Sequence, residues 1–392
     1  MGNCGSGETI NKSFVDISHF KVERCIGRGG FGKVNAVSKL STPKNHTMYA
    51  MKALEKEVVI AKNMFGEVHR ELDLLKTLNN PLICNGHWAF QDNNHLYLVL
   101  DLSMGGDMRV HIDRHRKLGQ HFTMDEIRYF SASLALALKY CHDNLVLHRD
   151  IKPDNVLVDA EGHVRLTDFG ISARLKSADT KCTDSSGTLS YMAPEIRLPG
   201  HAHIYPSEAY SMGVYMHELV ALHLPKEIGE PEYVQNLTGG TKQCNKELRA
   251  LILSLMEPLE SDRPKNMDEI MKHDFFKGYN FEGFEMLAPP FKPAEGSVNI
   301  QENAMAEDMF DALDGNKVEE PDKIKPEDQE KFKDYKWNND LRERKKTIFQ
   351  RAGTRRFSRR LSASNASLIR KQLQDLERTH AYKSSKAIGV EG

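Results

Sequence analysis

The sequence predicts an α+β fold, on two observations. The first is a strand-rich beginning. Phe20-Lys21-Val22-Glu23 and Val34-Asn35-Ala36-Val37 flank a glycine-rich run and suit the arms of a hairpin. The second is helical patterning further on. His69-Arg70-Glu71-Leu72-Asp73-Leu74-Leu75 carries its apolar residues at helical spacing. Between Thr123 and His142, residues Phe130, Leu134, Ala137, Leu138 and Cys141 recur at three and four, a one-faced stripe that belongs against a core.

Composition bounds the rest. The chain has 392 residues, 40% of them hydrophobic, enough for one large or two small domains with tails. Its net charge of −1 argues against a nucleic-acid partner. The charge is unevenly placed. Residues 294–340 hold fourteen acids against six Lys/Arg, and residues 341–371 hold eleven Lys/Arg against one acid, Glu343. The six cysteines show no metal-ligand spacing and read as reduced thiols. No apolar run approaches membrane-spanning length, and no secretory signal is present.

Chemistry concentrates in a few motifs. His148-Arg149-Asp150-Ile151-Lys152-Pro153-Asp154-Asn155 offers a carboxylate, a cation two residues on and an amide. Asp168-Phe169-Gly170 adds a second carboxylate. Together they can hold a metal-nucleotide and orient a hydroxyl for attack on a phosphoryl group. Gly27-Arg28-Gly29-Gly30-Phe31-Gly32-Lys33-Val34 reads G-x-G-x-x-G-x-V, a hairpin able to bring backbone N–H groups over phosphates. Tyr49-Ala50-Met51-Lys52 and Glu71 supply a lysine and a carboxylate that can fix it. Ala193-Pro194-Glu195 closes the segment after Gly170.

Taken in chain order, these motifs resemble the protein-kinase signature set. From about Phe20 to Tyr335 the chain resembles a Ser/Thr kinase of the AGC group. Phe90-Gln91-Asp92, Val99-Leu100-Asp101-Leu102 and Gly105-Gly106-Asp107-Met108-Arg109 look most like its YANK subgroup. The resemblance implies a bilobal fold, with a small antiparallel β-sheet lobe carrying one main helix (about 20–102) and a larger, mainly helical lobe (about 103–276). It implies ATP with Mg2+, for which Mn2+ can substitute. Val34, Ala50 and Leu157 would sandwich adenine, with Leu100 as gatekeeper and Asp101 and Leu102 at the hinge. Lys52, held by Glu71, would bind phosphates. Asn155 and Asp168 would hold the metal, Asp150 would accept the substrate proton, and Lys152 would neutralise the transferred group. Asp107, Asp154 and Glu218 match positions that favour basic substrates, although Asp107 can instead bind ribose and Glu218 can pair within its helix.

Residues 277–340 resemble an AGC tail with an acidic linker. There Phe332-Lys333-Asp334-Tyr335 resembles the segment that reaches back over the nucleotide pocket, and no convincing F-x-x-F follows. Three features depart from the pattern. Asp184 stands where a phosphorylatable threonine is usual, so its carboxylate is a candidate partner for Arg149. Glu208 replaces the aspartate that anchors the catalytic loop. Gly86 replaces a large apolar residue in the stack linking Leu75, Phe169 and His148, leaving Ile83, Trp88 or Phe90 to fill the gap. Gly86 and Glu208 keep a pseudokinase scaffold as the alternative to an active enzyme.

The ends point to a membrane. Met1-Gly2-Asn3-Cys4-Gly5-Ser6 fits N-myristoylation at Gly2, with Cys4 as a palmitate acceptor. Residues 1–19 therefore read as an acylation segment, and 341–392 as a basic tail with a short amphipathic helix. That tail suits an anionic membrane surface. Ser358 and Ser362, both in R-R-x-S, are candidate phosphosites. The expected location is cytoplasmic with membrane association.

Overall fold

The computed structural model describes residues 15–29, 32–40, 48–177, 180, 182–183, 186–198, 202–225, 244–284, 287–294 and 324–339. Five strands open the chain: β1 (Phe20–Gly29), β2 (Gly32–Lys39), β3 (Met48–Glu55), β4 (Gly86–Gln91) and β5 (His95–Asp101). They pair antiparallel in the order β1-β2-β3-β5-β4, and a late strand joins the free edge of β4. Between β3 and β4 lie α1 (Lys56–Ala61) and α2 (Phe65–Thr77). The inward face of α2 carries Val68, Glu71, Leu72, Leu74 and Leu75. Its apolar members dock on the sheet, and Glu71 is carried inward with them.

Past Asp101 the chain becomes helical. Asp107 caps α3 (Met108–Leu118) by accepting from Val110 N at 2.9 Å, and Gly119 ends it at φ 63°. Such a left-handed stop favours glycine. A reciprocal capping box of Thr123 and Glu126 starts α4 (Met124–Asp143). The stripe expected on α4 is buried, with Phe130, Leu134, Ala137, Leu138 and Cys141 inaccessible to solvent. α5 (Tyr205–Ala221), α6 (Lys246–Leu255) and α7 (Met267–Met271) complete this lobe. Short ribbons β6 (Val146–Leu147) with β9 (Ala173–Arg174), and β7 (Val156–Val158) with β8 (Val164–Leu166), frame the loops that carry the chemistry. Arg263 forms a bidentate pair with Glu195 at 2.7 and 2.8 Å and also donates to the carbonyls of Glu257 and Pro258. With a fifth bond to Pro206 O at 3.3 Å, each guanidinium donor is matched, as a fully buried charge requires.

The tail touches both lobes. Phe291 packs on Phe130 and His111 of the helical lobe, and Phe284 stacks on Tyr129. Residues 324–339 instead lie on the sheet lobe, as α8 (Pro326–Glu330) and β10 (Trp337–Asn338). β10 adds to β4 in antiparallel register, Trp337 opposite Ala89 and Asn338 opposite Trp88. Among the described residues, no helix is long and apolar enough to cross a membrane.

Candidate active site

Between the lobes, β2 and β3 place Val34 opposite Lys52. Gly32 sits at φ +150°, and a Cβ there would lie 1.9 Å from Ala53 O. Only glycine lets the hairpin close this tightly on β3. Lys33 continues β2 opposite Ala53. Gly27, Arg28 and Gly29 end β1, while Gly30 and Phe31 lie outside the described residues. Ala50 is buried, and Val34, Leu100, Leu102 and Leu157 are half-buried. Ala50 pairs with Leu100 across β3 and β5, and Leu157 bridges to Asp107.

Lys52 Nζ lies 2.9 and 3.1 Å from the two oxygens of Glu71 and 3.4 Å from Asp168 Oδ1. Burial alone would discharge Lys52, but Glu71 and Asp168 outweigh it and hold the ammonium firmly protonated. The Lys52 charge holds the Asp168 carboxyl below its ordinary range, against burial. The result is a fixed cation beside a carboxylate whose side chain stays nearly half exposed, 47%. Asp168 adopts φ +65°, a left-handed conformation that non-glycine residues rarely take and that clusters at functional sites.

The catalytic loop is tied together through Asp150. Its Oδ1 accepts from Thr188 Oγ1 at 2.6 Å and from Thr188 N at 3.0 Å. Its Oδ2 accepts from Asn155 Nδ2 at 2.9 Å and lies 2.7 Å from Lys152 Nζ. Lys152 also donates to Thr188 Oγ1 at 2.8 Å. Carboxylate, cation, amide and hydroxyl thus converge. Thr188 is a site residue that motif spacing missed. Only its position just after Gly187 hinted at a role, and the contact itself spans 38 positions of chain.

Two expected roles change. Glu218 has a side chain only 1% exposed and pairs through both oxygens with Arg109, while Tyr191 Oη donates to it at 2.6 Å. Arg109 Nε lies 3.5 Å from Asp154 as well. Glu218 is therefore not an open carboxylate for a substrate arginine, because the chain's own arginine neutralises it. Asp107, also buried, spends one oxygen capping α3. Of the three acids, Asp154 keeps the accessible side chain, 40% exposed. The Asp101 carboxylate is likewise committed inside the protein, accepting from Asn85 N and Nδ2, His87 Nε2 and Arg165 Nη1. Burial pushes its pKa up, but His87 and Arg165 outweigh that and hold it well below the carboxylate range. The side chain braces β4 and β8 and leaves backbone, not carboxylate, for a nucleotide.

The departures resolve differently from expectation. Glu208, 2% exposed, accepts from Arg149 N and from His142 Nε2, each at 2.6 Å. The extra methylene is absorbed by α5, and the backbone anchor is kept. At Gly86, none of Ile83, Trp88 or Phe90 fills the gap. A Cβ there would lie 2.6 Å from Trp337 Cζ3 and 3.3 Å from Leu75 Cβ, so the Trp337 indole from the tail occupies that space. Phe332 and Tyr335 both pack on α2. Phe332 packs on Phe65 of α2 at 5.1 Å, and Tyr335 meets His69 edge-on at 5.9 Å. Arg149 donates to Ile171 O and contacts Cys182 Sγ at 3.1 Å. Asp184, Gly2, Cys4, Ser358, Ser362 and the basic run 341–371 lie outside the described residues.

Comparison with known proteins agrees with this geometry. Residues 20–276 match the model of the protein kinase domain. Serine/threonine-protein kinase 32B of Homo sapiens is 33% identical over 313 residues, covering 76% of this chain and 73% of that protein. Ribosomal protein S6 kinase alpha-6 of Danio rerio is 34% identical over 293 residues, 72% of this chain but 39% of that protein. Ribosomal protein S6 kinase alpha-1 of Rattus norvegicus is 33% identical over 292 residues, 71% and 39%. This chain therefore spans about four-tenths of the length of the S6 kinases it matches.

Proposed function

The chain belongs to the protein kinase family, among serine/threonine kinases of the AGC group, and from that premise we propose that it transfers the γ-phosphoryl group of ATP to Ser/Thr hydroxyls of proteins. The observation that carries the reading is the network around Asp150, in which the carboxylate, Lys152, Asn155 and Thr188 meet within hydrogen-bond distance. Asp150 would orient the substrate hydroxyl and accept its proton. Lys152 would offset charge on the transferred group. Lys52, steadied by Glu71, would hold nucleotide phosphates. Asp168 and Asn155 supply the hard oxygen donors that Mg2+ or Mn2+ prefers, and the fit is good because Asp168 is ionised and partly open. The metal would neutralise phosphate charge. Catalysis of this type is positioning plus electrostatics, so the pre-formed Lys52–Glu71 pair and the intact Glu208 anchor favour an active enzyme over a scaffold. An Asp168→Ala variant tests the assignment. It should melt like wild type while losing phosphate transfer at least about a thousandfold. Transfer that persists would remove Asp168 from the role.

The expected preference for basic substrates now rests on Asp154. Arg109 lies against it and screens its charge, so any selection for arginine should be weak in the wild type. Membrane association remains part of the reading, through acylation at Gly2 and Cys4 and attraction of residues 341–371 to anionic lipid. Phosphorylation of Ser358 and Ser362 would weaken that attraction. Gly2→Ala should shift the protein from membrane to soluble fractions, and unchanged fractionation would end the anchor proposal.

A further inference from the structure

Gly86 lies at the inner end of β4, beside Leu75 of α2, and the opening it leaves is shaped by a residue far along the chain. The six-membered ring of Trp337 fills it, with Cζ3 and Cη2 at 2.6 and 3.2 Å from where a Cβ at position 86 would sit. The indole and a larger side chain at position 86 are mutually exclusive. Such a side chain would collide with the ring, and without the ring a glycine there leaves a hole against Leu75.

Further contacts hold the segment that carries the indole. Trp337 pairs with Ala89 in the strand ladder, which fixes its register on β4. Phe332 is fully buried against Phe65, beside Lys56, whose ammonium donates to Asp92 O and Gln329 Oε1 at 2.6 and 2.7 Å. Tyr335 is buried within electrostatic reach of Glu71 and Lys52. His69 Nε2, two residues before Glu71, donates to Lys331 O at 3.0 Å. Segment 324–339 thus grips α2 on one side and β4 on the other, and α2 is the element that carries Glu71 to Lys52.

We infer that Trp337 is a positioning residue for phosphate transfer, supplying from far along the chain the side chain that Gly86 lacks. The catalytic unit of this protein therefore includes residues 324–339. Loss of the indole lets α2 shift on β4 and loosens the Lys52–Glu71 pair. This rests on the reading of the chain as an active kinase.

The test is a reciprocal exchange in the full-length protein: wild type, Trp337→Ala, Gly86→Leu, and the double variant. Turnover at saturating ATP-Mg is measured alongside the melting temperature. Each single variant should lose turnover about tenfold or more, since displacement of about 1 Å at such a site is costly. The double variant should recover most of it, because the introduced leucine refills the space that the indole vacates. A Trp337→Ala turnover within twofold of wild type would overturn the inference. So would a double variant no better than Trp337→Ala. If Trp337→Ala folds poorly, the double variant still decides: folded and active supports the inference, unfolded or inactive sinks it. A wild type without any transfer counts against the kinase reading instead.

Discussion

Glu208 and Gly86 both break a pattern that the rest of the chain keeps, one with a side chain too long and the other with none. The long one is accommodated where it stands. Glu208 sits in the first turn of α5, reaches Arg149 N and gains His142 as a second partner, itself stacked on Tyr205 at 4.2 Å. The missing one is made good from a distance, by Trp337 on a strand that arrives after the whole catalytic core. A surplus atom can be absorbed by local backbone and rotamer adjustment. An absent side chain leaves volume, and volume must be filled by something, or the packing around it is lost. The helical lobe is thus self-contained at its anchor, whereas the sheet lobe depends on the tail.

That difference can be tested, beginning with its largest consequence. Glu208→Ala leaves two buried donors, Arg149 N and His142 Nε2, without their acceptor, so it should lower stability by about 2–5 kcal/mol in denaturant unfolding and abolish turnover in a transfer assay. Loss below about 1 kcal/mol would mean the anchor is not local. By contrast, Trp337→Ala should act mainly on the sheet lobe. Amide exchange should speed up in α2 and β4 and stay unchanged in α5 and α6. Uniform acceleration would erase the distinction between the lobes.

Acid should then probe the Glu208 anchor. Burial pushes the Glu208 pKa up, but the hydrogen bond and charge of His142 and the Arg149 amide outweigh it, and the net direction is down from 4.5. A group depressed on folding contributes stability that is full above its unfolded pKa and is lost as pH falls through the folded value. Unfolding free energy should therefore decline below about pH 4.5, and Glu208→Gln should flatten that decline. An unchanged slope would refute the role of the carboxylate. The smallest effect belongs to Arg109. Removing it unmasks Asp154, so Arg109→Ala should raise selection for arginine near the phosphoacceptor, by about tenfold in a peptide library, the equivalent of one charge-assisted bond. No gain would show that Asp154 does not face the substrate.

Much of the site was legible in the chain because it is written in short stretches. Asp150, Lys152 and Asn155 share one loop, and Asp168 follows on the next. Lys52 and Glu71 are recognisable from residue type and helical pattern. The hairpin around the glycine-rich run was readable from strands that are neighbours in sequence, and the rest of the sheet lobe came from the family resemblance. What escaped depended on distant pairing. Gly86 announced a gap, but nothing local said that Trp337 fills it. The aromatic spacing of Phe332 and Tyr335 was visible, yet spacing alone does not say which surface receives the rings, and they pack on α2. Glu218 was a carboxylate at a suggestive position. Only the structure shows Arg109 folded onto it from another helix.

The central claim is that this assembled site is catalytic. Its most direct test is single-turnover phosphate transfer from ATP-Mg to a Ser/Thr peptide pool by the full-length protein, beside Asp150→Asn. Wild type should transfer, and the variant should be slower by about 10²–10⁴-fold, the usual contribution of a positioned base, with ATP affinity unchanged. Equal rates in the two proteins, or ATP binding without transfer by either, would contradict the account.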